Sequence, residues 1–404
     1  MSASFVNFYN IYFLHVELIL LFILTLIIIV HFIDKLYFKE KGDSKNLVFI
    51  IIILIFLIHH LLLDSVNSPK LIIFFYGYFI YSNFIVWLKI VMLTVLIFYF
   101  VLLLIYNQII KVPLFEYIVL ILTAFLGSFL FMISNHLFVM FVFLELVNLC
   151  LYCLIGLNKY SNKGIEASFK YFVQSSLATI VGFFGISLIY LSMGTLFIHE
   201  LHILYVAGAF NNITILGLTF ILFSLFFKMG LFPFHSWLPE VYQGSLLLTA
   251  AFIAIIPKTA YILVFLRLIV EFYGTLEHIS FMFAFFSVIY GSIITLYQTT
   301  FRRLIAYGSM VHLGFIIMSI SLYGVYTIAA AIFYLLFYIY LTVFNFAIMI
   351  FFFERNYKTL EITFIDDLSR LSIITNKNKL MIFFFSFILF SFAGLPVFVG
   401  FISK

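Results

Sequence analysis

Two lysines stand where an apolar sequence should not hold them. Lys228 and Lys258 lie in the stretch 223–258, FSLFFKMGLFPFHSWLPEVYQGSLLLTAAFIAIIPK, each inside a run of hydrocarbon side chains. A lysine near the centre of a membrane helix costs roughly 2.5–3.5 kcal/mol on insertion scales. Between them Gly230, Pro233 and Pro239 interrupt the backbone, and Pro257 directly precedes Lys258, freeing a carbonyl one turn back. Irregular backbone at membrane depth persists only where protein or a water-filled cavity satisfies it. Charged groups at broken helices are the material of ion and proton pathways. The bland alternative, an ammonium that snorkels to the interface, suits Lys228 near a helix end better than Lys258.

Other groups could share that chemistry. Glu145 sits near the middle of an apolar run (NHLFVMFVFLELVNLCLYCLIGL), where a carboxylate must be protonated, paired with a cation or hydrated. Glu17 is nearer a run's end and can reach the interface. His235 follows the break at Gly230–Pro233, and His312 lies within another run (RRLIAYGSMVHLGFIIMSI). A histidine at that depth either relays protons near neutral pH or donates one hydrogen bond and stays still. His199 and His202, in HELH, fall in a loop with no further ligand nearby, so no metal site is expected there. Cys150 and Cys153 form a C-x-x-C without a second pair, inside an apolar run, which reads as inert packing. The last stretch, AGLPVFVGFISK, repeats the theme of Lys228: Gly394, Pro396 and Gly400 precede Lys404. Recurring interrupted segments point to repeat-built transporters.

The elements that position these groups must be membrane helices. The chain has 404 residues, 66% hydrophobic and 9% charged, against about 25% charged in soluble domains. That excludes a water-soluble fold, and no nucleic-acid partner is expected. Apolar runs of membrane length predict an all-α polytopic protein with twelve spans: roughly 12–33, 47–63, 84–106, 114–133, 136–157, 167–192, 213–232, 246–270, 277–299, 303–322, 324–353 and 379–404. Helix breaks are expected near 228–240 and 394–404. The segment 71–81 is apolar but short and Tyr-rich, and is expected in the interface. Residues 354–378 mix charge with periodic Leu and Ile, as an amphipathic helix on the membrane surface would. With 58 Phe and 26 Tyr against 6 Pro, the composition leans to A/T-rich codons, organelle DNA being one candidate source.

Orientation follows from the loop cations. Loops after the odd-numbered spans hold fourteen: Lys35, Lys39, Lys41, Lys45, Lys111, Lys159, Lys163, Arg302, Arg303, Arg355, Lys358, Arg370, Lys377 and Lys379; loops after the even-numbered spans hold only Lys70. The N-terminus and the loop 193–212 are therefore expected on the outer side, and the basic loops on the cytoplasmic or matrix side. Lys89, Lys170 and Arg267 lie within about two turns of a span end and are expected to snorkel.

FKMGLFPFHSWLPEVYQG with Lys258 after it, LELVNLCLYCLIGL around Glu145, EASFKYFVQSSLATIVGFFGISLIY, RRLIAYGSMVHLGF and AGLPVFVGFISK together resemble the antiporter-like membrane subunits of respiratory complex I. They cover most of residues 84–404 in order, and the VYQG and KYF…GISLIY segments look most like subunit 2 of the mitochondrial enzyme. The resemblance implies an inverted-repeat antiporter-like fold: helices 1–3 in 1–110, a first repeat in 111–270 and a second, incomplete repeat in 271–404. It assigns proton translocation to Glu145, Lys228, Lys258, Lys404 and His235, and the reading of the residues themselves adds His312 as a relay toward Lys404. Ser245-Leu246 departs from the Ala-Pro often found there, and residues 1–80 carry no family motif.

The resemblance also implies no cofactor in this chain, with NADH, FMN, iron–sulfur clusters and ubiquinone held by partner subunits. Two cysteines in one helix agree, since a cluster takes four ligands. Implied partners are other membrane-arm subunits of complex I, a separate polypeptide supplying helices after Lys404, and membrane lipids, cardiolipin among them. The implied location is the mitochondrial inner membrane, with the bacterial plasma membrane as alternative. A subunit of a multi-subunit cation/proton antiporter without a redox partner would carry the same lysines. A purely structural helical subunit would leave the charges at the break points unexplained.

Overall fold

The computed structural model describes residues 55, 71–110, 112–158, 161–350, 353–355, 362–364, 379–396, 398 and 400–401. Among them, nine helices are long and apolar enough to cross a membrane. They correspond to the third to eleventh spans expected from hydropathy: α1 (Asn83–Ile109), α2 (Leu114–Ile133), α3 (Leu137–Gly156), α4 (Asn162–Met193), α6 (Asn212–Met229), α8 (Leu247–Glu271), α9 (Glu277–Thr295), α10 (Phe301–Ser321) and α11 (Val325–Ile350). Two short helices intervene, α5 (Ile198–Val206) and α7 (Trp237–Gly244), and α12 (Lys379–Ala393) begins the last expected span. The first two spans, Glu17 and Lys404 lie outside the described residues.

Both expected breaks are present. α6 stops at Gly230 and α12 at Gly394, each glycine in the left-handed region with φ of 77°. That conformation closes the last turn with backbone hydrogen bonds, from Gly230 and Leu231 to Phe226 in one case and from Gly394 and Leu395 to Phe390 in the other.

The stretch 71–81 folds as a hairpin, β1 (Leu71–Phe74) against β2 (Phe79–Ser82), because pairing satisfies backbone groups that a segment too short to span would leave open. Two local expectations are corrected. Within 354–378, a second pair forms, β3 (Phe353–Arg355) with β4 (Ile362–Phe364), so these residues are strand and not amphipathic helix; the remainder lies outside the described residues. Extended pairing suits the β-branched Ile362 and Thr363. His199 and His202 sit on helix α5 rather than in a loop.

The chain divides into two compact units. The first comprises residues up to 154 together with 189–209. At one end its loops are stitched by backbone bonds: Asn135 donates to the Tyr78 carbonyl (2.7 Å), and Ile198 donates to the Asn135 carbonyl (2.9 Å). Tyr78, His136 and Phe197 stack over this knot. Between α1 and α2, Tyr99 and Tyr117 share a buried hydroxyl pair at 2.5 Å. Lys89 of α1 is a further correction: it does not snorkel but is wholly buried, its Nζ 4.6 Å from the Tyr81 ring centroid and 5.3 Å from that of Phe129. Those ring faces offer a cation partial compensation for lost water.

The second unit holds residues 155–188 and 210 onward. α8 is its core, buried along most of its length, with α6, α7, α10 and α11 packed against it. Loops gather at two ends. At one, Asn158 donates to the Gly244 carbonyl (3.0 Å) and Arg302 to the Ser245 carbonyl (3.2 Å); at the other, the rings of Tyr273 and Tyr323 stack at 3.9 Å.

Candidate functional site

The irregular backbone of the break after α6 finds partners in neighbouring side chains. The Phe227 carbonyl, near the end of α6, accepts from the Trp237 indole (3.0 Å), and the Phe232 N–H donates to Ser287 Oγ of α9 (3.0 Å). Ser236, which starts α7, donates to Gln174 Oε1 of α4 (3.1 Å). Trp237 and Phe227 also stack, 5.9 Å apart. A bilayer interior would supply none of these partners.

Lys228 occupies the last turn of α6 and is 1% exposed. Helix carbonyls point toward this end, which favours a cation there. Its Nζ donates to the Ser175 carbonyl of α4 (3.2 Å) and to the Ser175 hydroxyl. The snorkelling alternative is therefore overturned for Lys228. His235 lies just past the break, packed against Phe232 (5.8 Å) and edge-on to Tyr290 (4.6 Å).

Lys258 follows Pro257 within an uninterrupted α8 and is likewise 1% exposed. Its Nζ donates to Ser309 Oγ of α10 (3.0 Å) and lies 5.4 Å from the Tyr242 ring centroid. Proline at 257 removes one helical N–H and crowds the preceding turn. Tyr338 of α11 donates to the Ala254 carbonyl in that turn (3.2 Å). One helical turn beyond Ser309 stands His312, whose Nδ1 is 2.6 Å from Tyr334 Oη and whose ring is 5.9 Å from that of Tyr338. Lys258 and His312 are thus joined through neighbours on α10 and α11. α7 touches both lysine sites, through Trp237 at one and Tyr242 at the other.

A cavity of about 570 Å³ lies between α9, α10, α11 and α12. Ser292 and Leu296 line it near the end of α9, and Ser309, His312, Tyr338, Thr342 and Asn345 supply its polar wall. A smaller charged cavity of about 380 Å³ borders α4 and α7, where Lys170 pairs with Glu166 (2.6 Å) and Glu240 (2.9 Å).

Glu145 is half-buried on α3 in the first unit; Lys228, His235, Lys258 and His312 belong to the second. Cys150 is buried and meets Thr123 Oγ1 (3.1 Å), while Cys153 is exposed. Ser175, Ser309, Tyr334 and Tyr338 were not singled out by sequence. Tyrosine and serine are unremarkable in such a chain, and only the i, i+4 spacing of Tyr334 and Tyr338 hinted at a shared face.

Helices of membrane length, broken at glycine and proline and carrying buried lysines at or near the breaks, define a polytopic membrane protein of transporter type. The chain belongs to the NADH:quinone oxidoreductase/Mrp antiporter transmembrane family, whose description matches residues 134–404. Among its relatives is NADH-quinone oxidoreductase subunit N of Paramagnetospirillum magneticum, 32% identical over 374 residues, covering 90% of this chain and 75% of the relative. The protein of the same name from Azoarcus sp. is 32% identical over 302 residues, covering 72% of this chain. That match takes in 60% of the Azoarcus protein's length. In fold, the chain is similar to a chain of respiratory complex I from Thermus thermophilus, with a TM-score of 0.76, 24% identity, and coverage of 96% and 80% of the two chains.

Proposed function

We propose that this chain is a proton-translocating membrane-arm subunit of respiratory complex I, in which quinone reduction elsewhere in the assembly drives protons through buried ionisable groups. The observation that carries the reading is the pair of lysines, each 1% exposed and each hydrogen-bonded to a serine on a neighbouring helix. A lysine in that setting changes protonation state when its partners move, since desolvation disfavours the ammonium and a nearby acceptor or carboxylate restores it. Lys228 and Lys258 would bind and release the proton, His312 would pass it on, and Glu145, His235 and Lys404 would complete the set.

The relatives' shared name supports the redox-linked assembly over a stand-alone cation/proton antiporter, which the same helices could serve. NADH, FMN, iron–sulfur clusters and ubiquinone would then reside in partner subunits. The A/T-leaning composition supports an organelle-encoded chain and a place in the mitochondrial inner membrane. Purification of the assembly under mild detergent tests this. Flavin- and iron–sulfur-bearing chains are expected alongside this one; an assembly of membrane subunits alone, catalysing cation/proton exchange, would overturn it.

A further inference from the structure

The cavity bordered by α9, α10, α11 and α12 reaches Ser309 but not Lys258 itself. We propose that Ser309 is the hydroxyl through which Lys258 exchanges its proton with water in this cavity. The inference rests on the reading of the chain as a proton-translocating subunit, and adds the residue and the route.

Three observations carry it. First, Lys258 is 1% exposed and its Nζ has Ser309 Oγ as hydrogen-bond acceptor at 3.0 Å. Second, among the described residues Ser309 both holds Lys258 and lines the cavity. At that end the Tyr338 hydroxyl, a neighbour of Ser309, donates to the Ala254 carbonyl (3.2 Å), and His312 Nδ1 meets Tyr334 (2.6 Å). Third, the cavity wall nearby suits water. Thr342 and Asn345 line it, and Asn345 Oδ1 is buried without a hydrogen-bond partner. Buried water needs two to four polar partners, and these groups supply them.

The transfer balances over three groups. Ser309 Oγ now donates to the Ala306 carbonyl (2.7 Å). As that hydroxyl swings toward a cavity water and gives up its proton, Oγ takes one from the Lys258 ammonium. One N–H and one O–H bond break, one O–H bond forms on Ser309, and the water becomes hydronium. Lys258 is left neutral, and Ser309 differs only in the direction of its hydroxyl. The reverse sequence loads the lysine.

The test uses the intact assembled complex and measures the rate of quinone-coupled proton translocation. Ser309→Ala should slow it about 100-fold, the lower end for loss of a proton-transferring group, and Ser309→Thr should restore it. Ile305→Phe, which narrows the cavity away from Lys258, should also slow it, and should add nothing in the Ser309→Ala background if the two lie on one route. Leu389→Phe replaces Ile305→Phe should that variant fail to assemble. Lys258→Met separates the levels. If it leaves translocation normal, the functional reading itself fails. If it abolishes translocation while Ser309→Ala keeps the wild-type rate, or while the serine and cavity effects multiply independently, the role of Ser309 is wrong.

Discussion

Lysine at 228 and at 258 meets the same problem, an ammonium cut off from water, with different backbone help. Lys228 has the carbonyl end of α6 around it, whereas Lys258 sits within a continuous helix and relies on Ser309 and the Tyr242 ring face. Methionine matches lysine in length without the charge, so Lys228→Met and Lys258→Met should both assemble. Each should lower coupled proton translocation about 100-fold or more, the scale set by removing a positioned proton-transfer group. Translocation by reconstituted variant complexes checks this, and a wild-type rate in either would remove that lysine from the path. The charges were legible in sequence because a cation among hydrocarbon neighbours is improbable without a use. Their partners were not, because Ser175 and Ser309 look like any small residue at a helix contact. Lys89 shows the opposite failure: its distance from a span end predicted snorkelling, yet Tyr81 and Phe129 enclose it. Proximity to an interface along the sequence says nothing of which way the side chain turns.

At the scale of elements, α7 holds the break together. Its first residue caps the end of α6 through an indole N–H, and its last lies against α4. Gly244 has no room for a side chain, as a Cβ there would stand 2.5 Å from the Lys163 carbonyl oxygen and 2.6 Å from the Ala167 Cβ. Gly244→Ala must therefore push α7 away from α4, at about 1–3 kcal/mol by the usual cost of overpacking. A lowered thermal unfolding midpoint of the purified assembly is the expected result. Trp237→Phe keeps the aromatic stack but leaves the Phe227 carbonyl short of one donor, a loss of about 1–3 kcal/mol for a buried group. It should lower the same midpoint, whereas an unchanged midpoint would show that the Gly230 N–H, which also meets that carbonyl at 3.0 Å, suffices alone. Hydropathy located the nine described spans within a few residues, since twenty apolar residues in a row leave little choice. The hairpin 71–82 and helix α5 escaped it, because such short segments carry neither the length nor the periodicity that identifies a span.

For the molecule as a whole, the distribution of charge predicts the orientation, and the packing of loops fits the alternation of spans on which that prediction rests. In the second unit, residues 158, 244–245 and 302 meet at one end, all from loops that follow odd-numbered spans, while Tyr273 and Tyr323 meet at the other, both from loops after even-numbered spans. In the first unit, Tyr78, Asn135, His136 and Phe197, again all from loops after even-numbered spans, meet at one end. A missed or invented span between Tyr78 and Tyr323 would have put loops of opposite parity together. Fourteen cations lie in loops after odd-numbered spans and one in loops after even-numbered spans, and cations of short loops stay on the side from which the chain inserts. Tyr297, 78% exposed in the loop after α9, should therefore face the cytoplasm or matrix, and Val206, 72% exposed at the end of α5, the opposite side. Single cysteines at the two positions, in a chain whose Cys153 is replaced by serine, separate the possibilities in sealed vesicles of known sidedness. A membrane-impermeant maleimide should label Val206→Cys in right-side-out vesicles and Tyr297→Cys only in inverted ones. Labelling of both from one side would break the alternation of loops, and the reverse pattern would invert the molecule. In that case the basic loops would face outward, and with them Leu296, which lines the 570 Å³ cavity beside Tyr297.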